Sequence, residues 1–429
     1  MELTIEKLVY GGDGLARVAS GDRAKTIFVP YVLPEERVEA TIIEQKPGFA
    51  HAQLNAVIES SRLRSAPPCP YFTACGGCHY QHIAYEHQLR FKSEILSETL
   101  RRVGKLEVPV EIQTHSSPTL HYRNRTRFHV RSDPEFAIGY FRPASRELLP
   151  IRECPISSPL INRALEELWK IGAARKLPPA IYEMELFANE RDDELLTELY
   201  VRELREPSGL QDFARNFAQS LPGVVGIAAS SPPVAVRDTA AKPRVLSGQQ
   251  TLNYRVGEET YRVSAGAFFQ TNRHLLGRLV DLAINGRCGK VALDLYSGVG
   301  LFTLPLARRF ESVVAVESSP VSADDLRSVA PANVKVSSET TEKYLTGSLG
   351  KLRPDLIVVD PPRSGLGPVV SREISKLSAS EVVYVSCDPA TLARDLKQLT
   401  SSAFQIAQMH LIDLFPQTFH VETCAVLRR

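Results

Sequence analysis

The amino-acid sequence predicts a multidomain α/β protein, on three observations. A chain of 429 residues exceeds one ordinary hydrophobic core, and its composition shifts near residues 61 and 257. DLIVVD (355–360) and EVVYVSC (381–387) are short, continuous runs rich in β-branched residues, the pattern of parallel strands buried on both faces. Each run ends in a polar, proline-punctuated corner, and an open parallel sheet keeps its ligand crevice at such strand ends. The division expected is an OB-like β-barrel (1–60), a central α+β domain (61–256) and a Rossmann-like C-terminal domain (257–429).

The totals set limits. Hydrophobic residues at 43% and charged residues at 23% suit a soluble globular protein. Lys and Arg number 51 against 49 Asp and Glu, so any nucleic-acid surface must be local. No apolar run approaches the ~20 residues of a membrane span, and MELTIEKLVYGGDG lacks an apolar signal segment. A cytoplasmic protein that meets no membrane is expected. Seven cysteines in such a chain argue for metal binding or catalysis rather than disulfides.

Residues 1–60 are short alternating runs punctuated by Gly-Gly-Asp-Gly (11–14) and Pro-Gly (47–48), which predicts a barrel of roughly five strands. The next stretch, CPYFTACGGCHY, spaces Cys69, Cys75 and Cys78 as C-x5-C-x2-C, and Cys154 follows far downstream in RECPI. Three clustered thiols and one distant thiol suit an iron–sulfur cluster; a four-cysteine zinc site more often has two close pairs. Spacing leaves both open, and His79 and His82 read as flanking residues. YEHQLRFKSEILSETLRRVG (85–104) has helical periodicity and closes on basic residues and Gly. In HYRNRTRFHVR, Arg123, Arg125 and Arg127 alternate, so they share one strand face: a phosphate-binding stripe or merely an exposed face. Between 160 and 255, with Pro-rich breaks around 207 and 232, no specific chemical motif occurs.

The C-terminal third opens with SAGAFFQTNRHLLGRLVDLAI, a turn into a helix with Phe268, Phe269 and Gln270 near its start. KVALDLYSGVGLFTLPLARRF reads as strand, Gly-bearing turn and helix, and VVAVESS as a second strand ending in Glu317. Glycines that admit close backbone approach, with an acid placed to accept from ribose hydroxyls, make a nucleoside-cofactor constellation. GVG lacks the further Gly of GxGxxG, which favours S-adenosylmethionine over NAD. Cys387 precedes Asp388 and Pro389, an N-cap and N1 pair, so the helix macrodipole is expected to favour its thiolate. In the terminal HVETCAVL, Glu422 stands at a turn-to-strand entry with Cys424 on the same strand face. Cys288 and Cys424 lack a motif and default to packing.

FFQTN, DLYSGVG, DPPRSG, VSCDPATLARDL and FHVETCAVL together resemble the S-adenosylmethionine-dependent RNA uridine-5-methyltransferases, over nearly the whole chain. The resemblance implies a TRAM domain for the barrel and a 4Fe–4S cluster on Cys69, Cys75, Cys78 and Cys154. It implies Cys387 as the nucleophile that adds to uracil C6 and Glu422 as the general base at C5. It also places Gln270, Tyr296, Gly298, Glu317 and Asp360 around cofactor and target base, with a further contact within 337–343. Arg123, Arg125 and Arg127 would grip RNA phosphates. The segment between Glu317 and Asn333 is shorter than the usual helix, which puts that cofactor wall in doubt. A monomer acting on 23S ribosomal RNA is expected. A tRNA T-loop enzyme is the nearest alternative, and a non-catalytic iron–sulfur RNA-binding protein is the alternative from another class.

Overall fold

The computed structural model describes residues 1–20, 23–107, 110–202, 209–231, 243–348, 352–402 and 404–429; the proline breaks expected around 207 and 232 lie outside the described residues. The N-terminal sheet has six strands rather than five: β1 (Glu2–Thr4), β2 (Lys7–Leu8), β3 (Asp13–Ser20), β4 (Arg23–Pro30), β5 (Arg37–Lys46) and β6 (Phe49–Glu59). Their spatial order is β1-β5-β6-β4-β3-β2, with one parallel pairing, β4 on β6. Alternate residues such as Leu3, Ile27, Val29 and Val38 fill its core. Gly14 is obligatory, since a Cβ there would lie 2.3 Å from Val32 Cγ2. The chain leaving the barrel is fastened by Arg64, whose guanidinium reaches the fully buried Glu36 at 2.6 and 2.7 Å.

Helix α1 (Tyr85–Thr99) continues as a π-helical turn over Leu100–Gly104, so the helix predicted for 85–104 is present with a changed last turn. Gly104 lets that turn approach closely, for a Cβ would lie 2.9 Å from the carbonyl of Ala393. The next strand, β7 (Ile112–His115), crosses the expected domain division. It falls within 61–256 yet adds to the C-terminal sheet. The central sheet comprises β8 (Arg125–Arg131), β9 (Ala137–Phe141), β10 (Leu148–Pro150), β11 (Ile181–Ala188), β12 (Leu195–Val201), β13 (Val224–Ser230) and β14 (Arg244–Gly248). Helices α2 (Pro159–Ala173) and α3 (Leu210–Ser220) pack onto it. A hairpin, β15 (Thr251–Val256) with β16 (Glu259–Ser264), leads into the last region.

There α4 (Leu276–Ile284) begins six residues after Gln270, so FFQTN is an extended entry rather than a helix start. The sheet that follows contains β17 (Gly289–Leu295), β18 (Phe310–Glu317), β19 (Val334–Ser338), β20 (Leu356–Val359), β21 (Glu381–Ser386), β22 (Gln405–Ile412) and β23 (Glu422–Arg428). Helices α5 (Thr303–Ala307), α6 (Pro320–Val329), α7 (Thr341–Ser348), α8 (Gly367–Lys376) and α9 (Pro389–Thr400) alternate with these strands. The order is β19-β18-β17-β20-β21-β23-β22-β7, parallel except for β23, which runs antiparallel to β21 and β22. The continuous apolar runs now have a cause. Leu356 and Val358 enter the core on one face, Ile357 and Val359 that on the other. Each fully buried side chain of this size contributes about 1.5–3 kcal/mol. Strand order reverses between β17 and β20, and the carboxyl ends of strands at such a switch point are where an open α/β sheet keeps its ligand crevice. Among the described residues no helix is long and apolar enough to cross a membrane.

Candidate active site

The turn after β17 starts at Tyr296, a non-glycine residue with φ +62°, and continues through Gly298 (φ +56°) and Gly300 (φ +97°). Gly300 packs too closely for any side chain, since a Cβ would lie 2.4 Å from Leu326 Cδ1. A Cβ on Gly298 would meet nothing, so open space borders the backbone there. At the end of β18, Glu317 accepts from the amides of Gly298 (2.8 Å) and Ser319 (2.6 Å). A carboxylate has about four acceptor sites, so capacity remains for ribose hydroxyls. The short segment beyond still forms α6, ten residues capped by Ser319. Within 337–343, Thr341 hydrogen-bonds the Tyr296 side chain.

Two more acids stand near Glu317 and this turn. Asp360 follows β20 and accepts from Gln270 Nε2 at 3.4 Å. Burial pushes its carboxyl up to about 7 against the Gln270 hydrogen bond. Asp294, in the strand before the turn, is fully buried and also pushed up to about 7, by burial and then by the charges of Asp360 and Glu317; the Thr303 hydroxyl opposes this. In the sequence Asp294 is less conspicuous than Asp360, because it lies inside the apolar run VALDL and not at its end.

Cys387 and Glu422 come together through strand register. The antiparallel ladder pairs Ser386 with Thr423, so the next pair outward is Cys387 with Glu422. Glu422 is 2% exposed, and its carboxyl is raised well above the ordinary range by burial and then by Asp360, with Arg363 opposing. The Cys387 thiol is pushed up to about 12 by burial, Glu422 and Asp360, again against Arg363. The thiolate-favouring helix end expected at Cys387 is therefore outweighed. The first amides of α9, Ala390 and Thr391, donate to the Asp388 carboxylate at 3.0 and 2.8 Å. Tyr10 of the barrel reaches the other Asp388 oxygen at 3.3 Å and packs edge-on against Phe419. Arg363 is the cation of the site, exposed in the DPPRSG corner.

All four predicted cluster ligands line a separate cavity of about 400 Å³, together with Arg123 and Phe141. Burial pushes Cys75 up to about 11 and Cys78 to about 12, so the bare thiols are neutral. Among the described residues no three His, Cys, Asp or Glu side chains converge to hold a single metal ion. The thiols surround a space instead, and the buried Nε of Arg123 beside it has no hydrogen-bond partner. Four cysteine donors around a cavity bordered by an unsatisfied cation fit an anionic tetrathiolate cluster. His79 also lines the cavity and packs against Phe419, whereas His82 turns to the barrel carbonyl of Val32.

The three arginines do not form one open stripe in the free protein. Arg123 precedes β8 and borders the cysteine cavity. Arg125 is 12% exposed and bound to Glu185 and the carbonyl of Ala267. Arg127, 45% exposed, pairs with Glu185 at 3.1 Å and lies 4.1 Å from the Tyr200 ring centroid. The acids come from β11, whose Glu185 stands opposite Arg127 in the ladder. A run without acids was neutralised by its neighbour.

Comparison with known proteins places these features. Residues 84–429 match the family described as tRNA (Uracil-5-)-methyltransferase, and residues 1–54 match the TRAM domain. An uncharacterized RNA methyltransferase of Aquifex aeolicus is 34% identical, across 100% of this chain and 98% of that one. The 23S rRNA (uracil(1939)-C(5))-methyltransferase of Halomonas elongata is 32% identical, across 99% of this chain and 89% of its own. The Pyrococcus abyssi tRNA (uracil-54, C5)-methyltransferase, solved with S-adenosyl-L-homocysteine, is 25% identical with a TM-score of 0.76 over the whole of both chains.

Proposed function

The chain belongs to the tRNA (uracil-5-)-methyltransferase family and is an S-adenosylmethionine-dependent RNA uracil-5-methyltransferase; from that premise we propose that it methylates a uridine of 23S ribosomal RNA through a covalent Cys387 adduct. What supports this reading above all is the register that sets Cys387 opposite Glu422, beside Asp360. Uracil C5 is a poor nucleophile until a thiolate adds to C6. Cys387, its proton released to solvent, forms the S–C6 bond and drives the C5=C6 electron pair toward an enolate. S-adenosylmethionine supplies the methyl group as a sulfonium. C5 takes the methyl carbon, and S-adenosylhomocysteine leaves with the electrons of the broken S–C bond. Glu422 then accepts the C5 proton, the C–H pair rebuilds C5=C6, and the Cys387 thiolate departs. A carboxylate as buried as Glu422 is basic enough for that step near neutral pH.

Glu317 would hold the ribose, Tyr296 and Gly298 the methionine end, and Gln270 with Asp360 the boundary between cofactor and base. Cys69, Cys75, Cys78 and Cys154 would hold a 4Fe–4S cluster. Methyl transfer needs no electron, so no step depends on it. Residues 1–60 would grip RNA outside the crevice, and the target base must leave its stack to reach Cys387.

The Halomonas relative supports ribosomal RNA, and the Pyrococcus enzyme supports tRNA as a second reading. Methyl transfer from labelled S-adenosylmethionine to unmodified 23S RNA and tRNA, followed by nucleoside analysis, tests the choice. We expect 5-methyluridine in 23S RNA alone. Label in tRNA alone would move the substrate.

A further inference from the structure

The nine residues between β22 and β23, 413–421, form a strap without helix or strand, and the strap delivers the chain to Glu422. Its shape is imposed largely from outside. Lys92 and Asp413, both fully inaccessible, pair at 2.6 Å, and Lys92 also donates to the Phe415 carbonyl. The Tyr122 hydroxyl donates to the Pro416 carbonyl at 2.9 Å. At the centre stands Gln417, with φ +69°, a left-handed conformation that a residue with a Cβ adopts only where surroundings enforce it.

The enforcing residue is Gln88. Its Oε1 accepts from the Gln417 amide and its Nε2 donates to Gln417 Oε1, both at 3.0 Å. The same Nε2 faces the carbonyls of Tyr80 and Ile83. The Gln417 carbonyl accepts the amides of His79 and Tyr80, each at 2.9 Å. His79 and Tyr80 directly follow Cys78, and Tyr122 directly precedes Arg123, which borders the cysteine cavity. The residues that follow Cys78, and Tyr122 beside Arg123, therefore hold the strap five and six residues before Glu422.

We propose that Gln88 and Gln417 are positioning residues that carry the geometry of the cysteine-bearing loop to the general base; the inference rests on the assignment of Glu422 to that role. The physical ground is simple. Among the described residues no side chain is hydrogen-bonded to the Glu422 carboxylate, so its aim depends on packing and on the backbone that carries it. One end of that backbone is the β23 ladder and the other is the strap. A strap released at Gln417 lets the carboxylate drift relative to C5, while the crevice ends of β17, β18 and β20 and the S-adenosylmethionine site stay in place. The loss then falls on proton removal, not on binding or on C6 addition.

Two variants test this in the full-length protein. Gln417→Gly keeps the left-handed backbone accessible but removes the paired amide. Gln88→Glu keeps volume and one acceptor but removes the donor. Rapid quench on uridine RNA separates formation of the denaturant-stable adduct from its release, with Glu422→Gln in the same run as the unresolved reference. A misplacement near 1 Å can cost about a hundredfold, so release should slow roughly 10- to 100-fold in both variants. RNA affinity, cofactor affinity and iron content should stay within about twofold of wild type, and adduct formation should not fall, since the Glu422 carboxylate opposes ionisation of Cys387 rather than assisting it. Release at the wild-type rate in both variants would overturn the proposal. So would a loss that appears in RNA affinity or adduct formation, or one that merely parallels a lower melting temperature. Wild type that forms no adduct would instead remove the underlying assignment of Cys387 and Glu422.

Discussion

The crevice and the cysteine cavity both contain thiols, yet they surround them with opposite charges. Around Cys387 stand Glu422 and Asp360, which join burial in raising its thiol, and a single exposed cation, Arg363, opposes them. Around the other four thiols stands the buried guanidinium of Arg123, with one Nε unsatisfied. If Cys387 becomes a thiolate only when a base is seated, as proposed, its site can tolerate carboxylates, because one of them would serve as a base later. A site that must keep thiolates permanently calls for a cation or metal ions. On the proposed reading the same side chain is switched in one place and fixed in the other.

The largest expected effect tests whether the crevice thiol reacts at all. Cys387→Ala should abolish methyl incorporation, by about 10⁴-fold or more, and leave no covalent RNA species on a denaturing gel. The cofactor should still bind, because Glu317 and the Tyr296 turn lie on other strands. Residual turnover above that level would mean that the thiol is a bystander.

The next test separates the two roles of Glu422. Glu422→Gln removes the base, so turnover should fall by roughly 10²–10⁴ and methylated adduct should accumulate. It also removes a charge that holds the Cys387 proton on. The sign follows: with that carboxylate gone the thiol ionises at lower pH, so adduct formation in the variant should reach a given rate at lower pH than in wild type. In wild type, formation should climb as pH rises through the neutral range, since the thiol sits at about 12 and its thiolate fraction grows with pH. A variant whose profile overlies that of wild type would show that Glu422 does not act on Cys387.

Much of the crevice was legible because its residues sit at the ends of apolar runs. LIVV and VVYV alternate between two cores, and no other element satisfies that pattern in so few residues. What could not be read depends on partners distant in sequence. EIQTH is too short and polar to announce that β7 extends the catalytic sheet, since its place is set by pairing with β22. Gln88 and Lys92 look like surface positions of an amphipathic helix, but both are fully buried against the strap. The raised Cys387 thiol was missed because local sequence displayed the helix end and hid the two carboxylates from other strands.

On the cavity side, Cys154→Ala should lower iron and sulfide content and drop the melting temperature by several degrees, roughly 1–3 kcal/mol for a chain of this size. Protein prepared without air should be brown, and a colourless protein carrying zinc would replace the cluster with the zinc site. The variant should still bind S-adenosylmethionine, because none of the cysteine-cavity residues lies on β17 or β18. Loss of cofactor binding would mean that the two sites are not separable in the way their charges suggest.

The smallest effect is expected at the basic strand, where two charge environments meet in one residue type. Arg123 faces the cysteine cavity, whereas Arg127 is held by Glu183, Glu185 and Tyr200 on the outer face of the central sheet. An exposed pair of that kind contributes about 0–1 kcal/mol, and a guanidinium already matched by two carboxylates has little charge left for a phosphate. Arg127→Ala should therefore change RNA affinity by less than about twofold and leave its salt dependence unaltered; a true phosphate contact would lower that slope by about one. If the slope falls, RNA must displace Glu185 from Arg127 on binding, and the strand is a phosphate site masked in the free protein. If it holds, the phosphate grip has to be sought elsewhere, with the exposed Arg363 beside the crevice as the first position to substitute.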